Sequence, residues 1–201
     1  DTQIMAMKSS AGEVVLLQQP VTISDNVEDW LSDLSKSMTE TLAAQLAACV
    51  RDDSFNPAAY PSQVLCLAEL VRFTSRAEAS IQKGSLASYK KTLQQTLNEF
   101  TSLDTSGDVV LELKMKALVL DLIHNIDVVQ QLMDANVQST SEWQWTKQLR
   151  FYLDKNSRCI VRMCEGTFDY TYEYQGNAGK LVHTPLTDKC YITLCQAMHL
   201  G

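Results

Sequence analysis

The stretch of sequence that decides the fold is residues 109–136, VVLELKMKALVLDLIHNIDVVQQLMDAN. Apolar residues recur there at the three- and four-residue spacing that is typical of an α-helix. From Ala117 to Ile123 they occupy several faces of that helix, which indicates burial on more than one side. We therefore predict a long central helix with the other helices packed around it.

Three shorter helices are predicted before the central one. Asp25 followed by Glu28 forms a capping-box pattern that begins the first. Pro61 begins the second, because a first helical position has no backbone hydrogen bond to lose, and Gly84 ends it. The apolar stripes of the three helices span residues 30–50, 64–81 and 86–100. Together with the central helix they predict a helical bundle.

The C-terminal third is rich in tryptophan and tyrosine. A short helix is predicted over residues 143–152, and a strand over residues 159–164 is followed by a turn at Glu165-Gly166. From Phe168 to Tyr174 aromatic residues alternate with polar ones, as in a strand with one apolar face. We predict that this aromatic face is buried against Trp143 or Trp145. An extended segment and a last helix follow.

A weaker alternation marks the N-terminus. Residues 4–7 and 14–17 are apolar and flank a turn at residues 9–13, which favours a short β-hairpin. The predicted fold class is therefore mainly α: a helical bundle with a small β-hairpin at the N-terminus and a Tyr-rich β-hairpin plus a short helix near the C-terminus.

Composition and charge exclude several functional classes. The 201 residues are 45% hydrophobic and 20% charged, which is typical of a folded chain rather than a disordered one. The formal net charge is −7 and no basic cluster is longer than Lys90-Lys91, so nucleic acid is an unfavourable partner. No apolar stretch approaches the roughly 18 residues of a membrane span. We expect a soluble, intracellular chain with reduced cysteines.

The cysteine pairs Cys159/Cys164 and Cys190/Cys195 do not predict a zinc site. Their spacing puts the two thiols on opposite faces of a strand, or about 140° apart around a helix. Residues 176–180, GNAGK, are similar to the end of a phosphate-binding loop, but Leu181 stands where a magnesium-binding Ser or Thr is required. We predict neither a metal site nor a phosphate-binding loop within the chain.

The three histidines do not complete a nucleophilic triad with a Ser or Cys and a carboxylate. His124 lies in the apolar run of the central helix, where a core or interface role is expected, and His199 ends a helix, where it complements the dipole. His183 stays open to either interpretation. We assign no catalytic residue, although a cysteine-dependent enzyme with a low-pKa thiol is a third possibility.

Three motifs near the C-terminus point to a family. Residues 143–152, WQWTKQLRFY, and residues 168–176, FDYTYEYQG, are followed by residues 181–191, LVHTPLTDKCY. Together they resemble the dynein heavy chain family, in which this pattern closes the linker and opens the first AAA+ module of the motor ring. Residues 27–31, VEDWL, and 123–127, IHNID, also resemble the C-terminal half of the linker.

The resemblance implies a class and a domain boundary. Gln175, Lys189 and residues 175–178 look most like the cytoplasmic type-two heavy chain, the retrograde motor of intraflagellar transport; type-one and axonemal chains are the alternatives. It implies that residues 1–165 form the C-terminal part of the linker. Residues 166–201 would form the linker-to-ring junction and the start of the first AAA+ module, whose phosphate loop would follow Gly201.

The resemblance also implies a mechanical role, in which the linker bends and straightens as nucleotide turns over in the first module. We expect no ATP hydrolysis and no cofactor in these 201 residues alone, and ATP and magnesium in the full-length chain. Implied partners are the remainder of the motor ring and, through regions outside this chain, dynein intermediate and light chains, transport trains and the microtubule. The implied location is the cytoplasm and the cilium or flagellum. The alternative is a free-standing helical interaction module with grooves along residues 30–49 and 86–100.

The only site that the resemblance implies within the chain is a candidate adenine pocket. In AAA+ motors the corresponding extended segment lies against the base, and apolar side walls stiffened by a proline suit a flat purine. The pocket, incomplete here, would consist of Leu181, Val182, Pro185 and Leu186, with Thr187-Asp188 capping the next helix. The alternative is a core strand packed under that helix.

Overall fold

The long central helix is confirmed, as helix α4. The structure is a computed structural model that describes residues 2–201. Its helices are α1 Val27–Arg51, α2 Ser62–Lys83, α3 Leu86–Ser102, α4 Val109–Asp134, α5 Trp143–Thr146 and α6 Pro185–Leu200. Its strands are β1 Gln3–Lys8, β2 Val14–Thr22, β3 Arg150–Leu153, β4 Cys159–Met163 and β5 Gly166–Asp169. This mainly α architecture with two small antiparallel sheets is the predicted fold class.

Helix α4 is buried along several faces. Leu118, Val129 and Leu132 are among its inward side chains, and none of the three is more than 2% exposed. The helix packs against α2 and α3, and α1 packs against α2 and β2. These four helices, which we call the helical body, enclose the main core.

Helix boundaries differ from the prediction in three details. Pro61 is the N-cap of α2 and not its first helical residue, which is Ser62. Asn26, and not Asp25, caps α1, because its side-chain oxygen accepts a hydrogen bond from the backbone N of Glu28 at 3.2 Å. At α6, Thr184 is the capping residue and Thr187 completes a capping box, so the predicted Thr187-Asp188 cap is correct for Thr187 as the second member of the box, while Asp188 lies in the first turn. The boundary at Gly84 is confirmed, since α2 ends there with a left-handed φ of 63° that glycine adopts without a steric penalty.

The N-terminal hairpin is confirmed and packs on α1. Strands β1 and β2 pair antiparallel, and Val15, Leu17 and Val21 of β2 are buried. The hydroxyl of Thr41 in α1 accepts a hydrogen bond from the backbone N of Gln18 at 3.0 Å. The hairpin is therefore held to the helical body by apolar burial and by a bond to its backbone.

A buried ion pair joins the hairpin turn to the helices. Lys114 Nζ lies 3.2 Å from Glu13 Oε1, and the two side chains are 8% and 5% exposed. Lys114 also donates to the carbonyls of Pro57 at 3.2 Å and Tyr60 at 2.8 Å. Glu13 in turn accepts from the backbone N of Ser62 at 3.0 Å. An ammonium has three N–H donors, and Lys114 has one oxygen acceptor for each of them.

The region after α4 contains a strand where a helix was predicted. The short helix α5 ends at Thr146, and residues 150–153 form β3, which pairs with β4. The backbone N of Phe151 donates to the hydroxyl of Thr74 at 3.0 Å. Pairing with distant residues outweighs local helical spacing here, as is common for short β segments. The turn between β4 and β5 falls at residues 164–165, one residue before the predicted Glu165-Gly166, because Gly166 begins β5.

The tyrosine-rich strand is shorter than predicted. β5 ends at Asp169, which pairs with Ile160, the second residue of β4. Tyr172 has a φ of 55°, a left-handed conformation that no strand contains. The three tyrosines therefore do not share a strand face: Tyr172 is buried, while Tyr170 and Tyr174 are half-buried.

The two tryptophans of α5 have opposite environments. Trp145 is fully buried, its ring lies 6.2 Å from that of Phe73, and its Nε1 donates to Glu78 at 3.1 Å. Trp143 is 54% exposed. The expectation of a core tryptophan is therefore correct for Trp145 and wrong for Trp143. The ring that lies beside Trp145 is Phe73 of α2, and not one of the tyrosines of residues 170–174.

Candidate functional site

Residues 170–184, which we call the connecting segment, run without regular secondary structure from β5 to α6. Gln63 of α2 holds the first part of it. Its Nε2 donates to the hydroxyl of Tyr170 and to the carbonyl of Glu173, both at 2.8 Å. Its Oε1 accepts from the backbone N of Gln175 at 2.8 Å. One side chain thus supplies the hydrogen bonds that a neighbouring strand would otherwise provide.

A second contact holds the connecting segment against the N-terminal hairpin. The hydroxyl of Ser9 donates to Asn177 Oδ1 at 2.7 Å. Gly176 beside it has a φ of 57°, and a Cβ atom on it would lie 2.7 Å from the Cβ of Ser9. Both the conformation and the close approach require glycine, so the segment crosses the hairpin turn in direct backbone contact.

The last part of the connecting segment is tied to α4. Lys180 forms an ion pair with Asp121, whose side chain is 9% exposed. The ring of His183 stacks on that of His124, with centroids 3.5 Å apart and 11° between the planes. Burial, and after it the neighbouring His183, lowers the pKa of His124 to about 4. His124 is therefore a neutral packing residue at neutral pH, consistent with its position in an apolar run.

A cavity of about 260 Å³ lies between α4, the connecting segment and α6. Its apolar wall includes Phe73, Phe151 and Met163 from α2, β3 and β4. Its polar lining includes Asn125 of α4 and Lys147, the residue that follows α5. The cavity is thus built from segments that are far apart in the sequence.

The four residues of the predicted adenine pocket lie on the surface. Leu181, Val182 and Leu186 are 69%, 66% and 71% exposed, and Pro185, also exposed, begins α6. Of the four, only Leu181 lines the cavity. The structure does not show the alternative of a core strand under the helix, because that arrangement would bury these side chains.

Among residues 2–201 no cluster of three or more His, Cys, Asp or Glu side chains could hold a metal ion. Burial raises the pKa of the thiols of Cys49, Cys66 and Cys159 to about 11. A thiolate nucleophile needs the opposite shift, so these three cysteines are unsuited to that chemistry. No helix in the described range is long and apolar enough to cross a membrane.

Sequence reasoning assigned no role to Gln63, Asn125 or Lys147. Gln63 holds the connecting segment, whereas Asn125 and Lys147 line the cavity. These positions arise from contacts between distant segments. The one available signal is that Asn125 and Lys147 fall within residues 123–127 and 143–152, which carry the family resemblance.

Comparisons with known proteins match both ends of the chain to one family. A family model described as the hydrolytic ATP binding site of the dynein motor region matches residues 170–201. A second, described as dynein heavy chain, N-terminal region 2, matches residues 1–49.

Individual relatives match almost the whole chain. Cytoplasmic dynein 2 heavy chain 1 of Homo sapiens is 49% identical over 210 residues, which cover 98% of this chain and 5% of the relative. The protein of the same name from Chlamydomonas reinhardtii is 48% identical over 203 residues, with the same coverage. Dynein axonemal heavy chain 2 of Mus musculus is 34% identical over 210 residues, again 98% of this chain and 5% of the relative.

Proposed function

This chain belongs to the dynein heavy chain family and is a segment of a motor heavy chain; from that premise we propose that it joins the linker to the first AAA+ module. Residues 1–165 would form the C-terminal part of the linker, and residues 166–201 the junction and the start of the module. The two family models, one at each end of the chain, support this order. The chain spans about 5% of the length of the relatives it matches, so the activity of the motor depends on residues outside it.

The observation that carries this proposal is the anchoring of the connecting segment. Contacts to Gln63, Ser9 and Asp121 tie it to α2, to the N-terminal hairpin and to α4. Helix α6, which follows it, has no buried side chain. A lever needs both an anchored connecting segment and an exposed α6 at its base. A part of the ring that packs on α6 can then move the helical body through the anchored segment.

The class that we propose is the type-two motor of retrograde intraflagellar transport, acting in the cytoplasm and the cilium. Its support is the identity of 49% with a cytoplasmic dynein 2 chain against 34% with an axonemal one. Its partners would be the rest of the motor ring and, through regions outside this chain, intermediate and light chains, transport trains and the microtubule.

The rival function, a free-standing interaction module, needs apolar stripes that are open to a partner. The stripes of α1 and α3 are instead used in the core, where Leu42, Leu46 and Leu93 are at most 7% exposed. The helical body is therefore better suited to act as a stiff element than as a groove.

For the nucleotide we propose that Leu181, Val182, Pro185 and Leu186 form one face of a base-binding surface. Exposed apolar side chains beside a proline fit a purine, whereas ATP phosphates and magnesium would need residues outside this chain. We therefore expect no ATP turnover by the 201 residues alone.

The base-binding surface is tested in a motor segment that includes the complete first module. Val182→Asp should weaken nucleotide binding, because the new carboxylate must lose water beside the base, and the melting temperature should not change. Val14→Asp, at a similarly exposed valine of β2, is the matched control. Unchanged nucleotide affinity in a folded Val182→Asp protein would remove the base-binding role.

The lever is tested by weakening its anchor. Asp121→Leu removes the ion pair with Lys180, and in a complete motor we expect slower microtubule gliding at a nearly unchanged rate of ATP turnover. Glu112→Leu is the control, because it breaks an exposed pair with Lys116 on the same helix and should leave gliding unchanged. If gliding speed and ATP turnover fell together, Asp121 would have a role in folding only. If neither fell, the proposed lever role of the connecting segment would be contradicted.

A further inference from the structure

The cavity between α4 and α6 is large enough to hold a small molecule. Its volume of about 260 Å³ exceeds the roughly 150 Å³ of an apolar cavity that accepts one benzene ring. Leu149 and Leu181 line it and are 37% and 69% exposed, so it opens to solvent at that rim. A compound of about two fused rings can therefore enter without unfolding the protein.

Most of the cavity wall is apolar. Phe73 and Phe151 contribute aromatic rings, and Val128 of α4 and Ile192 of α6 contribute aliphatic side chains. Ligand sites combine such walls with a few polar groups that fix orientation. The wall therefore favours a compound whose body is apolar and flat.

Two polar side chains of the lining are uncommitted. Asn125 is 6% exposed, lines the cavity and has no hydrogen bond from its amide to any of residues 2–201. Lys147 is half-buried and lines the cavity, and no carboxylate in that part of the chain lies within 4 Å of its ammonium. Both groups are therefore free to bind a ligand, and an ammonium beside an apolar wall attracts an anion.

The other charged groups of the lining are already compensated. Asp121 is paired with Lys180, and Asp188 lies in the first turn of α6, where the partial positive charge of the helix end offsets it. His124 and His183 are stacked on each other. Lys147 is therefore the cation of the cavity that is left without a counter-charge.

We propose that this cavity binds a small apolar carboxylate, with its ring system against Phe73 and Phe151 and its carboxylate held by Lys147 and the amide of Asn125. Such a ligand would touch both the helical body and α6, and would strengthen the contact between them. The proposal does not depend on the motor function, since it rests on the cavity alone.

The test compares three compounds with the same ring system and different charge. 2-Naphthoate is the carboxylate probe, 2-naphthamide its neutral counterpart, and 2-naphthylmethylamine the cation. Isothermal titration calorimetry of the folded chain at neutral pH should show the carboxylate binding about tenfold more tightly than the amide and the amine binding least. The carboxylate should also raise the midpoint of thermal unfolding.

Substitutions locate the site. Lys147→Met should lower the affinity for 2-naphthoate about tenfold and leave that for 2-naphthamide unchanged, while Lys155→Met, at an exposed lysine outside the cavity, should change neither. Asn125→Leu should also lower the affinity for 2-naphthoate. Leu149→Trp, which adds volume at the rim, should abolish binding of all three compounds.

Three outcomes would overturn the proposal. One is the absence of saturable binding up to about 1 mM, the weakest affinity that counts as a site here. Another is 2-naphthoate binding that Lys147→Met leaves intact in a protein with a normal circular dichroism spectrum. The third is a preference for the amide or the amine, which would refute the anionic ligand class.

Discussion

Helices α4 and α6 are both rich in apolar residues, yet they lie in opposite environments. Nine side chains of α4 are buried, whereas α6 buries none and leaves Leu186, Leu194 and Met198 between 60% and 71% exposed. The apolar pattern of a sequence therefore indicates that a helix has a partner, but it does not indicate whether the partner lies in the same segment.

The largest effect that we expect comes from the core beside α4. Trp145→Ala should lower the free energy of unfolding by about 3–5 kcal/mol, because a large cavity replaces a fully buried ring. Trp143→Ala removes the exposed neighbour and should cost less than about 1 kcal/mol. Urea denaturation measures both, and similar losses for the two variants would contradict the burial that separates them.

A smaller loss is expected where α4 holds a buried charge. Lys114→Met leaves the carboxylate of Glu13 buried without its partner and should lower stability by about 3 kcal/mol. Lys116→Met, two residues along α4 in an exposed pair, should change stability by less than about 1 kcal/mol. A loss at Lys114 no greater than that at Lys116 would mean that water reaches the Glu13 carboxylate.

The helical body was predictable because its determinants are local. The stripes of α1 to α4 repeat within each helix, and Gly84 ends α2 through its own conformation. Strand β3 was not predictable, because Phe151 is held by Thr74 of a distant helix. The alternation from Phe168 to Tyr174 misled for a similar reason. β4 begins at Cys159, whose carbonyl accepts a hydrogen bond from the backbone N of Tyr170 at 3.0 Å, so the alternation continues beyond Tyr170 where β4 no longer offers a partner.

The site was less accessible to sequence reasoning than the fold. The family resemblance supplied Leu181, Val182, Pro185 and Leu186, whose base-binding role stays a prediction. The cavity depends on distances between α4 and the connecting segment, such as the stacking of His124 on His183. No spacing along the chain encodes such a distance.

The stacked histidines make the contact between α4 and the connecting segment sensitive to pH. The pKa of His124 falls from 6.5 to about 4 on folding, so its contribution to stability is complete above about pH 6.5 and is lost as the pH falls toward 4. His183 adds to this shift, and Asp127 and Asp188 oppose it. We expect a loss of about 2 kcal/mol over that range.

His124→Phe isolates this contribution, because the ring is retained and the titration is removed. Its stability should change less between pH 6.5 and 4 than that of the unmodified chain, as measured by urea denaturation at each pH. His199→Phe, at the exposed end of α6, is the control for exchanging an imidazole for a phenyl ring. An identical pH profile for His124→Phe and the unmodified chain would show that His124 is solvated.

The smallest expected effect bears most directly on α4 and α6. Leu194→Gln replaces one good helix former by another at a side chain that is 60% exposed. It should therefore change the stability of the 201-residue chain by less than about 0.5 kcal/mol. Leu122→Gln, the same exchange at a 7% exposed position of α4, should cost about 3 kcal/mol, because it buries an amide in place of apolar atoms. If the exposed face of α6 packs on the remainder of the first module, Leu194→Gln should become destabilising in a motor segment that contains the complete module. If instead it destabilises the 201-residue chain as strongly as Leu122→Gln does, α6 packs on the helical body itself, and the exposed face that separates the two helices does not exist in solution.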